Sequence, residues 1–121
     1  MADIKRINSI KNRLSSAVIH NDTAYLSGQV PWDAQNESIE DQTLDVLTKI
    51  DQTLADAGTS KDKLLSATIW LTHMEDFDAF NTVWDRWIPE GCEPSRATVG
   101  APLAQLKNHE FRIEIAVIAA I

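Results

Sequence analysis

Two residue types that build common functional sites are scarce in this sequence. The single cysteine, Cys92, cannot form a disulfide within the chain. Acidic residues close to Cys92 disfavour the thiolate, so we interpret it as a packed or loop thiol and not as a nucleophile. The four glycines stand singly, which excludes a glycine-rich phosphate loop, and no nucleotide or other cofactor is expected.

Long apolar runs and clusters of basic residues are also missing. No apolar run approaches the roughly 20 residues that span a bilayer, and residues 1–6 lack the apolar core of a secretory signal. We therefore expect a cytoplasmic protein that does not bind membranes. The chain has 18 Asp and Glu against 11 Lys and Arg, a net charge of −7, and we interpret the basic residues as unclustered. This balance disfavours nucleic acid and favours small metabolites as partners.

The three histidines, His20, His73 and His109, are far apart in the sequence. None belongs to a pair spaced for metal binding, such as His-x-x-x-His. The sequence therefore predicts no metal site, and it shows no paired histidines for acid–base catalysis.

The local patterns predict one domain over residues 1–121, without repeats or linkers. Runs with β propensity at 16–20 and 23–27 flank Asn21-Asp22, a pair typical of tight hairpin turns. Three further strands are predicted by the apolar runs at residues 64–71, 95–101 and 111–121.

Two helices are predicted between these strands. For the first, Ser38 and Asp41 form a capping box and Gly58 supplies a C-terminal stop. Its apolar face is predicted at positions 44, 47, 50, 54 and 57. For the second, Thr72 and Glu75 form the box, and the apolar face is predicted at positions 77, 80, 84 and 87, before Pro89.

This order of elements predicts an α+β sandwich: a mixed sheet with both helices on one face. In the last strand one face carries Phe111, Ile113, Ile115 and Val117, while the other face also turns apolar toward the C-terminus. Two helices cover only one face of a sheet, so the second apolar face needs a cover. A homo-oligomer is the simplest cover.

Two charged residues are unusual for the strands that hold them. Arg96 needs an anion for its fork of donors, either a substrate carboxylate or one of the 18 acidic residues in a structural ion pair. Glu114 lies in the most apolar strand, where a carboxylate is costly unless it is paired or functional. A pair with Arg112, two residues away, or with a cross-strand partner is its structural alternative. Residue type alone favours the structural alternative for both.

Weaker candidates surround these two residues. Ser27 and Gly28 end a strand with small side chains that allow a ligand close to the backbone, although most such segments are turns. Asn81 on the second helix is either a polar contact in a pocket or a solvent-facing side chain. The tryptophans at 32, 70, 84 and 87 are interpreted as core and not as a stacking platform.

Five short blocks occur in order along the chain: residues 25–31 (YLSGQVP), 67–71 (ATIWL), 76–81 (DFDAFN), 94–99 (PSRATV) and 113–115 (IEI). Single blocks are weak signals, but the five in this order are specific. Together they resemble the Rid (YjgF-like) family of enamine and imine deaminases. The resemblance spans about residues 13–120, and the end of the chain and residues 84–94 are most similar to a YoaB-like branch.

The resemblance implies a chorismate-mutase-like fold of the bacillus type that trimerises through its sheets, with sites in clefts between subunits. It implies that Arg96 holds the substrate carboxylate and that Glu114 positions or activates water. Ser27, Gly28 and Asn81 would line the pocket. The implied reaction converts 2-imino acids into 2-oxo acids and ammonia without a cofactor.

The sequence departs from the family pattern at two positions of this site. Leu14 stands where many members have a tyrosine, and Thr98 where a cysteine is common. Both should reshape the pocket and so affect which substrate is bound. Two other hypotheses remain: a trimer that only binds small molecules such as 2-oxo acids or acts like a chaperone, and a ribonuclease that inhibits translation.

Overall fold

The computed structural model describes residues 3–121. Residues 1 and 2 lie outside the described part. They belong to the predicted domain and to residues 1–6, which we interpreted as lacking the apolar core of a signal. Six strands form one sheet in the order β1-β2-β3-β6-β4-β5. They are β1 (Ile4–Ile10), β2 (Leu14–His20), β3 (Thr23–Leu26), β4 (Leu64–Leu71), β5 (Ser95–Gly100) and β6 (Ile113–Ala120).

The sheet is mixed, as predicted, because β4 and β5 run parallel while the other neighbouring strands are antiparallel. The predicted hairpin is confirmed: β2 and β3 pair across Asn21, whose φ of 55° is the left-handed value that tight turns require. The sequence did not predict β1. Asn8 has a φ of 52° and interrupts this strand, so its side chains do not alternate regularly.

Helix α1 (Ile39–Asp56) begins and ends where the sequence predicts. The Ser38 hydroxyl accepts a hydrogen bond from the Asp41 N–H at 3.1 Å, and Gly58 follows the helix with a φ of 83°. One position of the predicted apolar face is wrong, because Leu44 is 58% exposed. It lies at the edge of the face that contacts the sheet.

Helix α2 (Phe77–Trp87) begins later than its predicted capping box. The box at Thr72 and Glu75 is wrong, because a 3-10 turn at Met74–Asp76 precedes the helix. Thr72 still continues the strand, and its N–H donates to the Arg112 carbonyl at 3.1 Å.

The core lies between the two helices and one face of the sheet, which confirms the predicted α+β sandwich. On that face Ile69, Leu71, Ile113 and Ile115 are fully buried. The side chains that alternate with them in β4 and β6 are only half-buried. We call the face opposite the helices the open face.

The β1–β2 hairpin corrects the interpretation that basic residues are unclustered. Residues 4–20 contain four of the 11 Lys and Arg and none of the 18 Asp and Glu. The four are Lys5, Arg6, Lys11 and Arg13. Counting charge over the whole chain concealed this local excess.

No helix within the described residues is long and apolar enough to cross a membrane.

Candidate functional site

Arg96 lies on edge strand β5 and faces helix α2. Its side chain shares a face with Ala67, the buried residue beside it on β4. The Arg96 Cζ lies 5.3 Å from the centroid of Phe80, 5.4 Å from that of Trp84 and 6.0 Å from that of Phe77. We call these three rings the aromatic platform. It holds the guanidinium through cation–π contacts while donors at its edge stay open to an anion.

The structural alternative for Arg96, an ion pair within the chain, is wrong. All 18 acidic residues lie in the described part, and none is within ion-pair distance of Arg96. Arg96 is exposed at the edge of the sheet. The protomer therefore presents a positioned guanidinium whose charge it does not neutralise.

Two further polar groups belong to this region. Asn81 lies on α2, and Thr98 shares the helix-facing side of β5 with Arg96 because it pairs with buried Ile69. The Asn81 Oδ1 and the Thr98 Oγ1 are buried, and neither has a hydrogen-bond partner among residues 3–121. Buried polar atoms are normally satisfied. We call Asn81, Arg96 and Thr98 the β5 half-site.

Glu114 lies on the open face, in the middle of the sheet. It pairs with Trp70 of β4, and its carboxylate covers the Cα of Gly28 so closely that a Cβ there would overlap it. A side chain at position 28 would therefore displace the Glu114 carboxylate from its position against the backbone. Burial raises the pKa of the Glu114 carboxyl above its ordinary value.

The other two predicted residues lie near Glu114 on the same face. Ser27 follows β3, and its hydroxyl donates to the Ser15 carbonyl at 2.5 Å. Leu14 begins β2 and is 49% exposed. We call Leu14, Ser27, Gly28 and Glu114 the open-face half-site.

The two half-sites of one protomer do not meet. Arg96 and Glu114 project from opposite faces of the sheet, and β4 lies between their strands. Their partners on β4, Ala67 and Trp70, are three residues apart. Strand spacing and rise each separate the two residues by roughly 10 Å. A small molecule therefore cannot contact both residues within one chain.

The structure also rejects the alternative role of Glu114. Arg112 does not pair with Glu114 but with the buried Asp76, through two hydrogen bonds of 2.9 Å. The hydrogen bonds with Asp76 raise the pKa of Arg112. Its backbone N–H donates to Gln42 of α1 at 2.7 Å. These three residues form a satisfied group, which we call the Arg112 cluster.

Two histidines line the same cleft despite their distance in the sequence. His73 and His109 both line a cleft of about 490 Å³ beside residues 102–110, and the buried Oγ1 of Thr72, which also lines it, has no partner in the described part. The His73 Nε2 lies 3.8 Å from Glu110. Neither Arg96 nor Glu114 lines this cleft. The sequence did not reveal that the two histidines share a cleft, because this depends on the course of a long loop.

Residues 3–121 contain no group of three or more His, Cys, Asp or Glu side chains arranged to hold a metal ion. Cys92 is half-buried in the loop between α2 and β5, and its N–H donates to the Pro89 carbonyl.

The aromatic platform is the part of the site that sequence reasoning missed. Trp84 and Phe80 are buried core residues, as predicted, but their rings also lie beneath Arg96. Their three-and-four spacing predicts that both residues pack in the core. It contains no information about β5, the strand that places Arg96 over their rings.

Comparisons with known proteins agree with this architecture. The family model described as Endoribonuclease L-PSP matches residues 4–121. A RutC family protein from Haemophilus ducreyi is 40% identical over 98% of this chain and 97% of its own length. The RutC family protein YoaB from Escherichia coli is 40% identical over 90% of this chain and 91% of its own length.

A crystal structure of a YjgF family member from Neisseria meningitidis superposes with a TM-score of 0.90. It is 41% identical to this chain, and the match covers 98% of this chain and 94% of that one. The shared sheet and helices support the chorismate-mutase-like fold that the resemblance implied. The chain therefore belongs to the Rid/YjgF family.

Proposed function

We propose that this protein hydrolyses 2-imino acids to 2-oxo acids and ammonia, at sites formed between protomers of a homotrimer. The observation that carries the proposal is the pair of uncompensated charged residues, Arg96 and Glu114, on opposite faces of one sheet. Neither has an ionic partner among residues 3–121. A ligand that bridges two copies would satisfy both.

Arg96 suits a planar carboxylate. The aromatic platform lies within 6.0 Å of its Cζ, and the planar fork of the guanidinium can donate two parallel hydrogen bonds to a carboxylate. The Asn81 Oδ1 is a buried acceptor in the same half-site. It can accept a hydrogen bond from an imine or amine N–H. The β5 half-site therefore fits the carboxylate and nitrogen ends of a 2-imino acid.

Glu114 is suited to bind and activate the water molecule that hydrolyses the imine. Burial raises the pKa of the Glu114 carboxyl, so the ionised carboxylate is a stronger base than that of an exposed glutamate. Gly28 leaves the Glu114 carboxylate close to the backbone, in a space that a side chain would fill. A water molecule bound to Glu114 would be positioned for attack on a C=N carbon.

The reaction then needs only proton transfers. Glu114 takes a proton from water as the oxygen bonds to the C=N carbon and passes this proton to the nitrogen, which gives a neutral carbinolamine. Glu114 then takes the hydroxyl proton and delivers it to the amine as the C–N bond breaks. Ammonia leaves and a 2-oxo acid remains. No oxidant or reductant enters the balance.

Ribonuclease activity is the second candidate function. It is favoured by the description of the matching family model and by the cleft that His73 and His109 share. Two histidines in one cleft are a frequent acid–base arrangement. The net charge of −7 opposes it because RNA would be repelled. Loss of RNA cleavage in His73→Ala and His109→Ala, with imine hydrolysis retained, would favour this second function.

The proposed site is tested by combining two impaired variants, each of which changes one of the two residues. Arg96→Lys and Glu114→Gln chains with different tags are co-expressed, and trimers with both tags are purified. In a closed ring of three, each mixed trimer contains one site with both native residues, so ammonia release from a 2-imino acid should return to about a third of the native rate.

The controls separate the function from its location. Trimers of either variant alone should retain no more than about a tenth of the native rate, clearly less than the mixed trimers. If confirmed mixed trimers are no more active than the better of their two parents, the site does not lie between protomers. If the native trimer binds 2-oxo acids but does not accelerate ammonia release, the protein is a binding module.

A further inference from the structure

The β1–β2 hairpin contributes a cationic cleft next to the open-face half-site. The cleft has a volume of about 410 Å³ and is lined by Arg6, Ser9, Asn12, Arg13, Leu14, Ser15 and Val18. No carboxylate belongs to this lining, and neither arginine has an ion-pair partner in the described residues. In a chain of net charge −7, two unneutralised guanidinium groups in one cleft indicate an anionic ligand.

The cleft is continuous with the proposed imine site. Leu14 belongs to both, and the Ser15 carbonyl accepts the hydrogen bond from Ser27. Arg6 pairs with Val18, and Val18 pairs with Tyr25, which places all three on the open face with Glu114. Two strand spacings, roughly 10 Å, separate β2 from β6. Arg13 is next to Leu14 at the start of β2, whereas Arg6 lies one spacing farther, on β1, so its long side chain must extend toward β2 to share a small ligand with Glu114.

We propose that Arg6 and Arg13 bind a second anionic group of the substrate, so that the preferred substrates are short dicarboxylic 2-imino acids. This inference rests on the proposed function. The first carboxylate would be held by Arg96 of the neighbouring protomer, the C=N carbon would lie at Glu114, and the side-chain carboxylate would extend past Leu14 into the cleft. Leucine here, in place of a tyrosine ring, leaves that path open.

The test compares two imines with the same carbon chain. Oxidases generate the imines of glutamate and of norvaline, which lacks the second carboxylate, and protein-dependent ammonia release is measured for each. The native protein should have the higher kcat/KM for the dicarboxylic imine. The double variant Arg6→Gln/Arg13→Gln should lower the ratio of the two kcat/KM values by about tenfold to a hundredfold, because charge-assisted hydrogen bonds are lost.

Lys5→Gln is the matched control. It removes one positive charge from the same strand, but Lys5 alternates with Arg6 and does not line the cleft. The ratio should stay within about twofold of native, since a general charge effect at this distance is screened. Single variants, above all Arg13→Gln in the exposed turn, retain the test if the double variant does not assemble.

An unchanged ratio in an assembled double variant overturns the inference. If that variant also dissociates more readily in light scattering, the arginines pair with acidic residues of a second copy instead. If the native protein accelerates the hydrolysis of neither imine, the proposed function fails. Titration calorimetry with 2-oxo acids then tests separately whether the cleft binds an anionic group. The native protein should bind 2-oxoglutarate at least about tenfold more tightly than 2-oxopentanoate, and the double variant should lose this preference. Equal affinities for the native protein would reject the cleft as an anion site.

Discussion

The Arg112 cluster and the two half-sites differ in whether their charged side chains have partners within the chain. In the Arg112 cluster each charge has its partner: Arg112 is held by Asp76 at two distances of 2.9 Å, and Gln42 satisfies the neighbouring backbone. In the half-sites Arg96 and Glu114 have no such partners in the described chain. The same residue types therefore serve stability in one region and remain available to a ligand in the other.

The difference in burial explains why Arg112 is paired with a carboxylate and Arg96 is not. Asp76 is almost fully buried, and an unpaired carboxylate there would cost several kcal/mol. Arg96 is on an edge strand and exposed, so water and the aromatic platform make its unpaired charge tolerable. This contrast predicts that substitutions in the Arg112 cluster affect stability, while substitutions in the half-sites affect activity.

The largest effect is expected for Glu114→Gln. Loss of a general base typically lowers kcat/KM for imine hydrolysis by about 10²-fold to 10⁴-fold. Glu75→Gln, which removes an exposed carboxylate, is the control and should retain native activity. A Glu114→Gln variant that unfolds, with unchanged activity per folded trimer, would assign Glu114 to the structure instead.

The same variant has a pH-dependent signature in its stability. Because burial raises the folded-state pKa of Glu114, its ionisation opposes folding. That cost is absent below the ordinary pKa of 4.5 and appears as the pH rises through the folded-state pKa. The thermal midpoint of Glu114→Gln should therefore equal that of the native protein at acid pH and exceed it at neutral pH, by less than about 5 °C. Calorimetric scans over pH 4 to 8 check the direction.

The second effect concerns the Arg112 cluster. Arg112→Gln leaves the Asp76 carboxylate buried without its cation, so the free energy of unfolding should fall by about 3 kcal/mol. Thermal unfolding should show a midpoint roughly 10 °C lower. The double variant Asp76→Asn/Arg112→Gln should recover part of this loss, because no uncompensated charge remains. Full additivity of the two single variants would show that the pair is not coupled.

Much of the fold could be predicted from local patterns. The run at 64–71 coincides with β4, and Ser38 with Gly58 marks the ends of α1, because period, caps and positive φ are written in neighbouring residues. Strand β1 was missed because Asn8 interrupts its alternation. Local signals fail where one residue leaves the regular backbone geometry.

The candidate site was only half predictable. Arg96 and Glu114 were identified because charges are unusual in apolar strands. The sequence did not decide whether each residue forms an ion pair within the chain or contacts a ligand. The structure removed those alternatives through contacts between distant residues, such as Arg112 with Asp76, 36 positions apart. The opposite facing of the two residues depends on the registers of β5 and β6 against β4, which no local pattern encodes.

The smallest and most selective effect is expected for Arg96→Lys, with Arg112→Lys as its matched control. Both keep a positive charge and lose the planar fork. At Arg112 the two bonds to Asp76 should become one, and the midpoint should fall while activity per trimer is retained. At Arg96 there is no protein anion to lose, so unfolding should change by less than about 1 kcal/mol.

The effects on activity should be the opposite: Arg96→Lys should lose more activity than Arg112→Lys. Lysine cannot fix the orientation of a substrate carboxylate as the guanidinium edge does. Misplacing the C=N carbon relative to the water should lower kcat/KM of Arg96→Lys for 2-imino acids by about tenfold to a hundredfold. Imines without a carboxylate provide the internal test: they should be poor substrates of the native protein and lose little further on substitution, since the interaction removed was never available to them. Both substrate types and the thermal midpoints are measured for native protein and both variants. Equal losses for the two substrate types, or a lower midpoint with normal activity, would show that Arg96 stabilises the fold as Arg112 does and does not hold the substrate.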